Sequence, residues 1–105
     1  DNSNKAIDIC RKNCLELKIE KSTKIIQSDF TKEKKEYLVD IFFCDPPYKK
    51  YTIELLLKTL KIMIKNDAYG VIELPRNLKK LEFNNFLLLK KKYISNSQFC
   101  FIKKL

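Results

Sequence analysis

An α/β fold is what this sequence predicts, on three observations. Apolar runs of strand length, LVDIFFC at 38–44 and YGVIEL at 69–74, alternate with segments of helical period. The first run is nearly continuous, as in a strand buried on both faces of a parallel sheet. KKYIS and QFCFIK, flanking Asn96 and Ser97, read as a terminal hairpin. A largely parallel sheet with a C-terminal antiparallel pair follows, within one domain of 105 residues.

Ser3 can cap a helix whose apolar positions Ala6, Ile9, Cys10, Cys14 and Leu17 keep the helical period, ending near Lys18. TKIIQ, 23–27, is a short strand, and a Lys/Glu-rich connection over 31–36 leads into LVDIFFC. A strongly periodic helix is predicted over 51–65, with Leu55, Leu56, Leu60, Met63 and Ile64 facing inward. YGVIEL is the next strand, and Leu78 to Leu89 is read as a second helix. No internal repeat or flexible linker interrupts the chain.

Composition narrows the function. The 22 Lys+Arg against 13 Asp+Glu give a net charge of +9, which suits a polyanionic partner such as nucleic acid. All but Arg11 and Arg76 are Lys, however, and the chain is rich in Ile and Asn, so an AT-rich coding sequence explains the same balance. The four cysteines, Cys10, Cys14, Cys44 and Cys100, form no disulfide framework. One helical turn separates Cys10 from Cys14, but no second pair or His completes a metal site, and small apolar core side chains is the reading adopted. The absence of His removes the commonest general base, and a single glycine, Gly70, excludes a Gly-rich phosphate loop from this chain. No run is apolar and long enough to span a membrane, so the expected setting is cytoplasmic.

Residues 45–48, Asp-Pro-Pro-Tyr, stop the 38–44 run abruptly, at the strand end where open α/β sheets collect their chemistry. Each proline holds the residue before it extended and has no N–H to give. The turn is stiff and offers acceptors only: carboxylate oxygens from Asp45 and a carbonyl from Pro46. Two acceptors suit a group bearing two N–H bonds, and on an aromatic amine they would draw the nitrogen out of conjugation and turn its lone pair outward. Tyr48 offers a flat face for a base swung out of its stack. The alternative is a plain strand terminator with Tyr48 in the core.

The Asp-Pro-Pro-Tyr tetrapeptide resembles the fourth motif, [DNS]PP[YFW], of the S-adenosylmethionine-dependent amino methyltransferases. The flanking segments are similar to the bacterial RsmD-type 16S ribosomal RNA (guanine-N2)-methyltransferases: DNSNKAIDICRKN resembles their acid-led helix, IIQSDF their third motif, YLVDIFFCDPPY their fourth and YGVIEL the following strand. The resemblance implies a Rossmann-like class I methyltransferase sheet of strand order 3-2-1-4-5-7-6. In that frame the first strand and its Gly-rich turn would precede Asp1, so residues 1–105 are expected to be the C-terminal portion of one methyltransferase domain, lacking its first strand or strands. A separately encoded N-terminal half is then an expected partner.

Residue by residue, the resemblance makes Asp1 the acid that bonds the ribose of the cofactor S-adenosylmethionine. Asp29 and Phe30 match the segment touching its adenine, and Asp45, Pro46, Pro47 and Tyr48 the amine-gripping turn; no metal is implied. Asp1 also reads as a charged terminus and Asp29 as a turn acid or helix cap. Lys49 and Lys50, beside the pocket, are the candidate nucleic-acid contacts. The expected substrate is a guanine N2 amine in ribosomal RNA of the small subunit. A DNA adenine-N6 or cytosine-N4 methyltransferase fragment and a non-catalytic RNA-binding remnant are the alternatives.

Overall fold

The computed structural model describes residues 1–105, which form two compact units, Asp1–Glu33 and Lys34–Leu105. In the first unit, helix α1 spans Asn4–Glu16. Ser3 is its N-cap as predicted: the Ser3 hydroxyl accepts from the Ala6 N–H at 3.3 Å, satisfying one of the first-turn donors. Leu17 closes the helix, and Lys18, with φ of 56°, turns the chain away. The buried residue of α1 is Ile7, while Ile9 and Leu17 lie exposed, Cys10 is exposed and Cys14 half-buried. The predicted apolar face is thus open, and the core role expected of Cys10 is overturned, because a unit of 33 residues has little apolar surface to cover a whole helix face.

TKIIQ forms no ladder. Its backbone partner is the single residue Asp1, whose amino group donates to the Ile26 carbonyl at 3.2 Å and whose carbonyl accepts from the Ser28 N–H at 2.9 Å. One residue is too short a neighbour to define a strand. A short 3₁₀ turn, Phe30–Lys32, follows.

The second unit is a four-stranded sheet with one long helix. The strands are β1 (Ile41–Cys44), β2 (Tyr69–Pro75), β3 (Phe86–Ile94) and β4 (Ser97–Lys104), in the order β1-β2-β4-β3. β1 and β2 are parallel, and the other two pairs antiparallel, so the α/β sheet is mixed. This order matches strands 4-5-7-6 of the implied arrangement. Helix α2, Ile53–Met63, joins β1 to β2 as the crossover that a parallel pair requires.

β1 is shorter than the 38–44 run. Leu38 stands exposed at φ of 50°, a left-handed conformation that turns the chain, so pairing begins only at Ile41. Nor is β1 buried on both faces: it is an edge strand, and Ile41 and Phe43 are 79% and 64% exposed. α2 is capped by the Thr52 hydroxyl, which accepts from the Leu55 N–H. Its inward face is Ile53, Leu56, Leu57 and Leu60, with Ile64 just beyond, whereas Leu55 points outward, one position off the predicted stripe. Opposite stand Ile72, Leu74, Cys100 and Ile102, the alternate residues of β2 and β4 that face this core. Lys104 is buried there too, its ammonium donating to the Ile64 carbonyl just past the end of α2, where backbone acceptors lack helical partners.

No second helix occupies 78–89. Asn85, at φ of 66°, ends a turn, and Phe86 to Leu89 run into β3, which pairs with β4 along its length around a bulge between Leu88 and Lys90. A short apolar run such as FLLL fits either period, and pairing decided it. The hairpin turn is Ser95-Asn96, one residue before the predicted pair, with Ile94 opposite Ser97. No helix is long and apolar enough to cross a membrane.

Candidate active site

The β1–β2 register builds the site. Cys44 pairs with Ile72, so the next step along the parallel strands sets Asp45 beside Glu73 at their carboxyl ends. That is where open α/β sheets place their chemistry, as the sequence suggested for 45–48. Burial first, and then the charge of Glu73, raise the Asp45 carboxyl above its usual range.

Tyr48 is exposed by 39%, and is not the core residue of the alternative reading. Its ring is tied at the far end. The phenol donates to Glu73 Oε1 at 2.9 Å and lies 2.8 Å from Ser97 Oγ, which itself donates to the same Glu73 oxygen at 2.7 Å. Glu73 faces Phe99 and Pro75 faces Ser97 across β2 and β4, so Glu73 and Ser97 are diagonal neighbours on one sheet face. The Tyr48 phenol titrates above its usual range, from burial first, with the Ser97 bond acting the other way. Glu73 and Ser97 were not singled out in the sequence. Their signal was there: Glu73 is an acid inside an otherwise apolar strand next to the proline turn.

A cavity of about 260 Å³ opens beside the turn. Pro46 and Tyr48 line one side, Leu74 and Pro75 another, and Tyr51 and Thr52 the entrance to α2. The corner is therefore not filled by its own side chains, although Asp45 stands outside the cavity wall. Lys49 and Lys50 are exposed directly after Tyr48, and the Lys50 ammonium lies 5.2 Å from the centre of the Tyr51 ring.

Asp1, Asp29 and Phe30 belong to the first unit. Asp1 Oδ1 accepts from the Ser3 N–H at 2.8 Å, ahead of α1. Asp29 Oδ1 accepts from both the N–H and the hydroxyl of Thr31, at 3.0 and 2.8 Å, capping the 3₁₀ turn. The helix-cap reading of Asp29 thus describes its local bonding, and Phe30 beside it is half-buried.

The overall α/β fold of this chain is one that solved structures share. A "putative methylase" from Haemophilus influenzae superposes with a TM-score of 0.82 at 19% identity, covering 100% of this chain and 70% of that one. A "putative methyltransferase" from Escherichia coli gives 0.78 at 17% identity, over 99% of this chain and 59% of that one. TrmN from Thermus thermophilus gives 0.78 at 14% identity, with this chain spanning 35% of its length. Among curated proteins, no sequence matches. The family model described as "Conserved hypothetical protein 95" matches residues 1–103, and the chain belongs to that family.

Proposed function

We propose that this chain is part of a methyltransferase that uses S-adenosylmethionine to methylate an exocyclic amine of a nucleobase, guanine N2 in small-subunit ribosomal RNA. The observation that carries the reading is the placement of Asp45-Pro46-Pro47-Tyr48 at the carboxyl end of β1, beside a cavity bounded by Pro46 and Tyr48. Its support is the fold shared with the two bacterial proteins described as methylase and methyltransferase, and the donor-free chemistry of the turn.

In this reading the Asp45 carboxylate and the Pro46 carbonyl accept the two N–H bonds of the target amine and orient its lone pair away from the ring. The Tyr48 ring carries the flipped base. Hydrogen-bonding geometry, rather than a general base, prepares the nucleophile, which fits a chain with no His. Once the nitrogen carries the methyl group its proton is acidic, and it passes to the Asp45 carboxylate, which already accepts that N–H, and from there to solvent. Asp1 and Asp29 fit a hydroxyl- and amine-bearing cofactor: each presents a carboxylate whose Oδ1 accepts from the backbone N–H two residues on, that of Ser3 and of Thr31. When bound, S-adenosylmethionine supplies an electrophilic methyl group. Any further segment needed for turnover, including a separately encoded one, is part of the proposal, as is a cytoplasmic setting.

The test is methyl transfer by the full-length protein as encoded, with isotope-labelled S-adenosylmethionine and small-subunit RNA. Nucleoside analysis should find the label in N2-methylguanosine. Label in DNA adenine or cytosine would move the reading to a DNA enzyme, and RNA binding without label in any nucleoside would leave a non-catalytic binding module.

A further inference from the structure

The Tyr48 ring needs an anchor that its own position in the chain does not supply. It sits in a surface turn, past two prolines whose fixed φ steers the backbone but not the side chain. A tyrosine ring on an open surface samples several rotamers, and a base can stack on only one orientation of it. The phenol end, however, is held in a closed triangle with Glu73 and Ser97, three oxygens within 2.7 to 2.9 Å of one another. Both tethering residues stand on the sheet, Glu73 on β2 and Ser97 on β4, so the ring is referred to the rigid part of the unit and not to the loop.

We propose that Glu73 is a positioning residue for substrate: through Oε1 it fixes the Tyr48 ring at the angle on which the flipped base stacks, with Ser97 completing the clamp. This rests on the methyltransferase reading above. Glu73 Oε1 takes two donors at once, which an ionised carboxylate oxygen does readily. Glu73 also stands beside the amine-gripping Asp45, so one strand residue sets both the stacking face and part of the electrostatic setting of the acceptor. The apolar cavity wall contributes the rest of the base contact through Pro46.

Steady-state kinetics of the full-length enzyme test the role through KM for RNA separately from kcat. Stacking on an aromatic ring is worth enough that loss of the correct angle should raise KM for RNA roughly tenfold in Glu73→Ala. Cofactor affinity should not change. Glu73→Gln keeps an acceptor oxygen while removing the charge beside Asp45, and should retain most of the RNA affinity. In a Tyr48→Phe background, Glu73→Ala should add less than about twofold, because the tether is already gone.

An unchanged, fully additive effect of Glu73→Ala in the Tyr48→Phe background would overturn the positioning role while leaving the methyltransferase reading intact. So would a fall in kcat alone that tracks the loss of folded protein. A wild-type enzyme without methyl transfer overturns the underlying reading and this role together.

Discussion

The Phe42 ring lies against Gly70 across the parallel β1–β2 pair, so closely that a Cβ on Gly70 would sit 2.4 Å from three of its ring atoms. In the register that brings Asp45 beside Glu73, the chain's single glycine leaves the space that the end of the Phe42 ring occupies. Gly70→Ala should force the ring aside and cost about 1–3 kcal/mol of stability. Chemical denaturation measures this, and an unchanged midpoint would show that the ring relocates freely.

The pH behaviour of Asp45 follows from its surroundings. Its carboxyl titrates above the ordinary 3.8, from burial first and Glu73 second. A carboxyl raised in the folded state favours folding below its ordinary value, and that contribution is lost as pH rises through the raised one. Asp45 is exposed, so solvent screens most of this effect, and at neutral pH its ionised form opposes folding only slightly. Asp45→Asn should melt at or slightly above wild type at pH 7, with the difference fading below the ordinary value of 3.8. A variant less stable than wild type at pH 7 would contradict this.

Cys44, next to Asp45, is half-buried and disfavoured as a thiolate. Burial, helped by the Asp45 charge, pushes its thiol up to about 11, and Cys100 is fully buried and pushed up as well. Iodoacetamide at pH 8 should label exposed Cys10 first and leave Cys44 and Cys100 unmodified in folded protein. Labelling of Cys44 at the rate of Cys10, read by mass spectrometry, would exclude this geometry.

How much of the fold and site is legible in the sequence depends on what decides each feature. Local chemistry is readable: the Ser3 cap, the acidic proline turn and the hairpin are written in a few adjacent residues. Features set by distant partners are not. LVDIFFC looks like a fully buried strand, yet Leu38 turns the chain and β1 lies at a sheet edge with Ile41 and Phe43 open. FLLL looks helical until β4 claims it. The Tyr48–Glu73–Ser97 triangle joins residues 25 and 49 positions from Tyr48, a closeness that only the strand order creates.

Lys49 and Lys50 are exposed beside the turn, and the proposed function makes them candidate phosphate contacts. Lys49→Glu with Lys50→Glu should weaken RNA binding and flatten its dependence on salt, the slope falling by about 0.7 for each single-strand phosphate that is no longer neutralised. Equal affinity at low salt, by filter binding, would assign both lysines to plain solvated surface.

Turnover by full-length Asp45→Ala, alongside its affinity for S-adenosylmethionine, tests whether this turn grips the amine. If Asp45 grips the target amine, methyl transfer is lost while cofactor affinity stays near that of wild type. A variant that still transfers methyl groups at the wild-type rate would show that this turn does not perform the chemistry.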